Sequence, residues 1–352
     1  MHQKKFKNIL VPILSVTLAL IFGAMVIALI GKDPIEAYSY LFSGALGSPF
    51  GIGQTIRSMA PLILTALGFT VANKAGFFNI GLPGQALAGW LISVWVAQSF
   101  PDLPQIILLP LCITLGALAG AVWSGIAGVL RAYFHSSEVI TTIMLNYIIV
   151  YITDFLVRNV LTSPPGDVTD SIPKAASLRL DFLTEMTENS TVHAGIIISL
   201  IAAFGIYFMF KKTTFGFEIR AIGLNKHAAQ YAGMNTKRTI VYAMLLSGAL
   251  AGLAGVMEGL GQFESIFLMK GSAPSIGWDG IAVSLLALGH PIGIIFSSLL
   301  FGIFESGRAE MSLMTNVPFE LINVITAVII FFVGANYLIR IFLDKFSKKE
   351  EV

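Results

Sequence analysis

Three polar side chains recur at a spacing of four residues inside an apolar stretch of the chain. They are Glu138, Thr142 and Asn146, and Thr141 stands beside them. In a helix, residues four apart lie on the same face. Carboxylates and amides are costly inside a membrane, where they normally face the interior of a helix bundle or a water-filled path. The stripe therefore indicates either a solute path or hydrogen bonds between helices, with the cytoplasmic interface as a further alternative for Glu138.

A second group of polar side chains surrounds two helix-breaking residues. Asn79 and Gln85 flank Pro83 and Gly84 within the stretch Asn73–Gln85. A break at membrane depth exposes backbone groups, which neighbouring helices or a cavity must satisfy. The two amides are therefore predicted either to line a solute path or to bond to neighbouring helices around a kinked helix.

Further ionisable residues lie in the C-terminal half. Asp279 is predicted to cap the N-terminus of a helix. His290 divides two short apolar segments, and it is predicted to be hydrogen-bonded at the interface or, alternatively, to touch the solute. Glu258 and Glu264 follow another apolar segment, where they are predicted to be solvated or to face a receptor.

Several kinds of chemistry find no support in the sequence. The chain has no Gly-x-x-x-x-Gly-Lys-Ser/Thr phosphate loop, so it has no such device for ATP. Its five histidines show no metal-ligand spacing, and its one cysteine, Cys112, lies in an apolar run. No nucleophile and base stand out together. We therefore expect neither an enzyme active site nor a cofactor or metal in this chain, and we expect the energy for any transport to come from a partner or a gradient.

The composition defines the class of protein that must position these residues. Of 352 residues, 55% are hydrophobic and 12% are charged, whereas soluble domains carry about 25% charged residues. We therefore predict an all-α polytopic membrane protein with a single transmembrane domain over residues 1–352. The formal net charge of +2 gives no indication of a nucleic-acid partner.

The apolar runs predict about ten transmembrane helices. They cover residues 9–30, 58–72, 77–99, 105–130, 138–157, 192–210, 240–260, 279–289, 292–307 and 319–342. The segments on either side of His290 are short, which predicts broken or re-entrant elements. Lys and Arg concentrate in alternate loops, so both termini and the loop 211–239 are predicted to be cytoplasmic, and the loop 159–191 extracytoplasmic. The residues from Gly31 to Arg57 are predicted to form a mixed loop.

Small residues at four-residue spacing mark two of these segments. Such faces allow two helices to pack closely in a membrane. The residues are Gly116, Gly120, Ser124 and Gly128 in one segment. In the other they form two pairs, Gly248 with Gly252 and then Gly255 with Gly259.

The polar stretch Lys211–Arg238 contains a short helix with its own boundaries. Asn225 is a good N-cap, and Gly233 is well placed just after the helix. A helix of about two turns is marginal alone in water, so we expect it to dock on a partner. Small residues and one aromatic residue favour a close contact, namely Ala228, Ala229, Ala232 and Tyr231.

This loop resembles the coupling-helix loop of ABC importer permeases, from Gly216 through Arg220-Ala221 to Tyr231-Ala232-Gly233. The stretches Phe78-Asn79-Ile80-Gly81 and Glu138-Val139-Ile140 are similar to motifs of the branched-chain amino acid, simple sugar and nucleoside permeases, and especially of the nucleoside branch, which depends on basic membrane lipoproteins. The motif around Trp278-Asp279-Gly280 also resembles this family. Pro83 stands where the family more often has an acidic residue, so no acidic role is carried over to it.

The resemblance implies a permease subunit of an importer in the cell membrane, with nucleosides as the solute class. It implies a cytoplasmic ATP-binding subunit that holds ATP and Mg²⁺, a second related permease in a heterodimer, and an extracytoplasmic solute-binding lipoprotein. Contacts with the ATPase are expected at Glu218, Arg220, Asn225, Ala228, Ala229, Tyr231, Ala232 and Gly233, and a solute path at Asn79, Gln85, Glu138, Thr142, Asn146 and His290.

Other functions remain open at the level of sequence. Permeases for simple sugars or branched-chain amino acids share the architecture. An ion-gradient-driven secondary transporter would account for the membrane helices, although it has no reason to carry the helix at Asn225. A purely structural scaffold fits poorly with buried amides beside helix breaks.

Overall fold

The computed structural model describes residues 2–162 and 166–334, which form a bundle of helices. The helices are α1 (His2–Leu29), α2 (Pro34–Leu46), α3 (Pro49–Lys74), α4 (Leu82–Ser99), α5 (Gln105–Phe134), α6 (Glu138–Leu156), α7 (Asp181–Met186), α8 (Gly195–Lys212), α9 (Thr214–Leu224), α10 (Lys226–Tyr231), α11 (Thr236–Met257), α12 (Ile276–Leu286), α13 (Pro291–Thr315) and α14 (Glu320–Gly334). Short π-helical segments, Val157–Leu161 and Glu258–Gln262, continue α6 and α11.

Seven helical segments in the described residues are long and apolar enough to cross a membrane. They are Pro12–Leu29, Pro49–Lys74, Gln105–Phe134, Glu138–Leu161, Gly195–Lys212, Thr236–Gln262 and Pro291–Thr315. Ile276–Leu286 and Glu320–Phe332 are shorter apolar helices. The end of the last predicted segment, its following lysines and the prolines at 164 and 165 lie outside the described residues.

Two helices begin inside the stretch that was predicted to be a mixed loop. At α2, the Asp33 carboxylate accepts a hydrogen bond from the Ile35 N–H at 2.8 Å. At α3, the Ser48 hydroxyl accepts one from the Gly51 N–H at 3.0 Å. Each capping residue precedes a proline, which suits the first helical position because its missing N–H would have no intrahelical partner there. The loop prediction for Gly31–Arg57 was therefore wrong.

Two other prolines also start helices. Pro83 lies in the first turn of α4, so the predicted break within a longer helix is instead the start of a helix at Leu82. His290 caps α13, where its Nδ1 accepts a hydrogen bond from the Gly293 N–H at 3.3 Å. Since α13 has 25 residues, the prediction of a second short segment after His290 was wrong, and of the two segments beside His290 it is α12 that is short.

The centre of the bundle is α11, which packs against α3, α4 and α5. Glycines bring the backbones of these helices into direct contact: a Cβ at Gly252 would meet the backbone of Gly120, and a Cβ at Gly89 would overlap the backbone of Gly252. A Cβ at Gly255 would overlap the Ala86 carbonyl in the same way. The small-residue faces are therefore packing surfaces, as their spacing predicts.

This packing predicts a large difference between two glycine-to-valine changes. Gly252→Val would force α11 away from α5, and we expect it to lower the thermal unfolding temperature of the purified protein by at least about 3 °C. Gly205→Val, in the exposed face of α8, is the matched control because nothing lies within 4 Å of its Cβ position. Equal stability of the two variants would contradict the packing assignment.

Candidate functional site

The amides that were singled out in the sequence form one buried hydrogen-bond network. Asn79 Nδ2 donates to Gln85 Oε1 at 3.0 Å and to Ser247 Oγ at 2.9 Å, while Gln85 Nε2 donates back to Asn79 Oδ1 at 3.0 Å. Asn146 Nδ2 donates to the Ile80 carbonyl at 3.0 Å, and Asn146 Oδ1 accepts the Gly84 N–H at 2.9 Å. The network fastens the start of α4 to α6 and α11.

The other three residues proposed for the solute path lie apart from this network or at its edge. Thr142 is buried, and its hydroxyl donates to the Glu138 carbonyl at 2.7 Å. The Glu138 carboxylate pairs with Arg131 at 3.1 Å. His290 caps α13. The structure thus brings Asn79, Gln85 and Asn146 together and leaves His290 elsewhere.

A large cavity lies in another part of the bundle, between α3, α4, the π-helical segment after α11, and α12 to α14. Its volume is about 670 Å³. The six residues that were predicted to line a path are not among its walls. The lining is instead rich in aromatic and charged side chains, which are Trp90, Phe263, Phe267, Phe301, Phe304, Arg57, Glu258, Asp279, Glu305 and Arg308.

Three aromatic rings form one wall of the cavity. The Trp90 and Phe263 rings are stacked, with centroids 5.2 Å apart and planes 11° apart. Phe267 meets both of them edge-on at 5.2 Å. Trp90 is fixed from behind, because its Nε1 donates to the Ser265 carbonyl at 2.8 Å. Phe263 is 39% exposed, so it offers a held aromatic face to a ligand.

Charged groups from four different segments face the same cavity, and Asp279 of α12 is one of them. Arg57 comes from α3, Glu258 from the π-helical segment, and Glu305 and Arg308 from α13, where these two pair at 2.6 Å. Glu258 is only 6% exposed, so the prediction that it is solvated or faces a receptor was wrong. The sequence places it at a helix end, and its burial depends on segments that are distant in the chain.

Asp279 also differs from its prediction. It lies in the first turn of α12 and lines the cavity, whereas Ser275 occupies the N-cap position. The helix begins at Ile276, so Ile276, Gly277 and Trp278 separate Asp279 from the cap. The cap assignment for Asp279 was therefore wrong.

The loop that follows the π-helical segment is held down by the connection between α6 and α8. The Thr169 N–H donates to the Ile266 carbonyl, and the Leu268 N–H to the Asp167 carbonyl, both at 2.9 Å. Arg179 donates to the Gly261 carbonyl at 2.8 Å and pairs with Glu264 at 3.2 Å. These contacts fix the loop that carries Phe263 and Phe267.

His193 lies beneath this loop, outside the long apolar helices. Burial, together with the charges of Arg57 and Arg179, lowers its pKa to about 4. Its Nδ1 accepts the Gly195 N–H at 3.1 Å, which requires an unprotonated nitrogen. A neutral imidazole therefore packs beside Gly261 without adding a charge to the site.

The predicted docking loop lies at the other end of α11. This helix has 22 residues and is therefore about 33 Å long. Asn225 caps α10 by accepting the Ala228 N–H at 3.0 Å, and Gly233 follows with a φ of +84°. Both local predictions are thus confirmed as features of the fold.

The residues of this loop differ in what they can offer a partner. Tyr231 is 94% exposed, and Ala228, Ala232 and Gly233 are exposed beside it. Ala229 is only 4% exposed and is covered by its own chain. Further along, the Glu218 carboxylate accepts a hydrogen bond from the Thr239 hydroxyl at 2.9 Å, and Arg220 Nε donates to the Gly216 carbonyl at 3.3 Å. Glu218 therefore ties α9 to α11.

The chain is similar to known transport proteins along nearly its whole length. The sequence profile of the branched-chain amino acid transport system / permease component matches residues 51–334. The nucleoside ABC transporter permease protein NupB of Lactococcus lactis is 44% identical over 348 residues, which cover 97% of this chain and 95% of the relative. The guanosine ABC transporter permease protein NupP of Bacillus subtilis is 43% identical, with 98% of this chain and 99% of the relative covered.

A sugar relative is more distant. The glucose ABC transporter permease protein TsgB13 of Haloferax volcanii is 32% identical, with 91% of this chain and 86% of the relative covered. The matches confirm the resemblance that the sequence motifs indicate. The chain belongs to the branched-chain amino acid transport system permease family and is an integral protein of the cytoplasmic membrane.

Proposed function

We propose that the chain is the permease subunit of an ABC importer for nucleosides and that the solute passes through the cavity between α3, α4 and α12 to α14. Two relatives above 40% identity are named as permeases for nucleosides or guanosine. The observation that carries the proposal is the cavity itself. Its volume of about 670 Å³ lies within the usual range of small-molecule sites, about 300–1,000 Å³.

The chemistry of the lining matches the two halves of a nucleoside. A planar base can stack on Phe263, which Trp90 supports from behind. The ribose hydroxyls and the polar edge of the base need hydrogen-bonding groups, and the cavity offers Gln262, Asn323 and Thr326 besides its charged residues. An apolar wall with a few polar groups is typical of such sites.

The segments at the two ends of α11 suit two different partner proteins. We propose that the loop with α10 binds a cytoplasmic ATPase subunit, which supplies ATP hydrolysis, and that the opposite end receives a solute-binding lipoprotein. Both termini are then cytoplasmic, and about ten crossings, including short elements such as α12, complete the domain. A second, related permease in a heterodimer provides the other half of the path.

A simple sugar is the second candidate solute, because the glucose relative shares 32% identity. Sugar rings also pack on aromatic faces and bond to carboxylates. Competition between the two classes distinguishes them, since a nucleoside permease ignores excess ribose or glucose.

Uptake of labelled uridine is the first test. We expect deletion of the gene to abolish it and excess ribose, glucose or leucine to leave it unchanged. We expect Phe263→Ala to raise the KM for uridine roughly fivefold or more, since stacking on one aromatic ring contributes about 1–3 kcal/mol. Phe100→Ala, an exposed ring outside the cavity, is the control. Uridine uptake that persists in the deletion strain would refute the proposal, provided that no second nucleoside route operates.

The role of the amide network can be separated from a role in the solute path. Asn146→Ala leaves the Gly84 N–H and the Ile80 carbonyl without their partner, and we expect a loss of stability of about 1–3 kcal/mol per unpaired group. Thermal unfolding of purified Asn146→Ala and Asn159→Ala, an exposed control, measures this loss. A stable variant with a raised KM for uridine would instead favour path lining.

The docking of α10 is tested at its exposed face. We expect Ala228→Asp to abolish uptake and co-purification of the ATPase without changing the amount of permease in the membrane, because a charge would be buried in the subunit contact. Ala228→Ser, which keeps the size small, should behave as wild type. Ala229 is unsuitable for this test because its own chain covers it. Normal uptake by Ala228→Asp would contradict docking through this helix.

A further inference from the structure

The π-helical segment Glu258–Gln262 brings an acid and an aromatic ring into one wall of the cavity. The Phe263 N–H donates to the Glu258 carbonyl at 2.9 Å, across one π-helical turn. Both side chains line the cavity. A π-turn replaces the usual helical spacing and is often found at functional sites. Here it gives the cavity both a carboxylate and the partly exposed ring of Phe263, on which a planar base can stack.

The Glu258 carboxylate lines the cavity without a hydrogen bond to the protein. In the described residues it also forms no ion pair, although the residue is only 6% exposed. A carboxylate this deep in the protein without hydrogen bonds calls for an explanation. Because the carboxylate faces the cavity, a ligand in the cavity can supply the missing donors.

A complementary group lines the same cavity from α3. In the described residues, the side chain of Arg57 makes one hydrogen bond, from Nη2 to the Ser58 hydroxyl at 3.0 Å. Its Nε is enclosed without an acceptor, so a ligand in the cavity would meet the Nη groups of the guanidinium. The ion pairs of the described residues do not join Arg57 to Glu258. The cavity therefore contains N–H donors and a carboxylate acceptor that hydrogen bonds within the protein do not use up.

We propose that Glu258 and Arg57 determine specificity by recognising the polar edge of the nucleobase while the base stacks on Phe263. Each nucleobase has an N–H donor next to an acceptor on this edge, such as N3–H and the C4 carbonyl of uracil. Glu258 accepts from the donor, and Arg57 donates to the acceptor. This inference rests on the proposed nucleoside function, and it assigns the base, not the ribose, to the charged residues.

Two uridine analogues separate the base from the sugar. N3-methyluridine lacks the N–H donor, and 2′,3′-dideoxyuridine keeps the base edge but lacks the ribose diol. In whole cells, each competes with labelled uridine for uptake, and the ratio of its inhibition constant to that of uridine is measured. The lipoprotein is the same in all strains, so a change in a ratio between variants belongs to the permease.

In wild type, we expect the inhibition constant of N3-methyluridine to be at least about tenfold higher than that of uridine, as is usual for a lost hydrogen bond to a charged group. In Glu258→Ala this ratio should fall to about one, and in the isosteric Glu258→Gln it should take an intermediate value. The ratio for dideoxyuridine should stay unchanged in both variants. Glu36→Gln, an exposed acid outside the cavity, should keep both wild-type ratios.

Three results would overturn the inference. The first is an unchanged N3-methyluridine ratio in Glu258→Gln, which decides the matter even if Glu258→Ala fails to accumulate in the membrane. The second is a change confined to the dideoxyuridine ratio, since Glu258 would then bind the ribose diol. The third is equal competition by N3-methyluridine and uridine in wild type. None of these affects the proposed function, which fails only if wild-type cells do not take up uridine through this importer.

Discussion

Close backbone contact among α4, α5 and α11 is the constraint on which the rest of the structure depends. Inside a membrane there is little hydrophobic driving force between helices, so association relies on van der Waals packing and hydrogen bonds. Gly89, Gly120 and Gly252 remove the side chains that would hold the backbones apart. Because these contacts recur along α11, its two ends are fixed relative to each other. The cavity residue Glu258 follows one end, and the loop with α10 precedes the other.

The same solvent explains why so many polar side chains are buried. Lipid offers no hydrogen bonds, so each backbone group freed at a helix start must find a partner inside the protein. Asn146 provides one for both the Ile80 carbonyl and the Gly84 N–H, where the chain enters α4. A solute path has the opposite requirement, since its polar groups must be left free for the ligand. Satisfaction of hydrogen bonds thus distinguishes Asn146 from Glu258, although both are buried and polar.

Sequence reasoning succeeded where the relevant interactions are local. The Asn225 cap and the glycine after α10 depend on neighbours within a few residues, and the glycine faces of α5 and α11 follow from helical spacing alone. It failed where distant segments decide the outcome. Glu258 looks exposed at the end of an apolar run, yet it is buried and shares a cavity with Arg57 and Glu305, which come from distant parts of the chain. A Pro next to a capping residue, as at Ser48-Pro49, is a local signal for a helix start, although this stretch was predicted to be a loop.

The arrangement of charges also determines how a movement at one end of α11 affects the cavity at its other end. Arg57, Glu258 and Glu305 come from α3, the extension of α11, and α13, so a relative movement of these helices changes the distances between charges in the cavity. Arg57 attracts both glutamates while the two glutamates repel each other, and each of these interactions is stronger where water is excluded, because a lower dielectric strengthens it. A force applied to α10 acts at the opposite end of the glycine-packed α11. The packed helix can transmit it as a rigid body. In the described residues, no hydrogen bond holds the Glu258 carboxylate and one, to Ser58, holds the Arg57 side chain, so these two charges are less fixed than the amides around the start of α4.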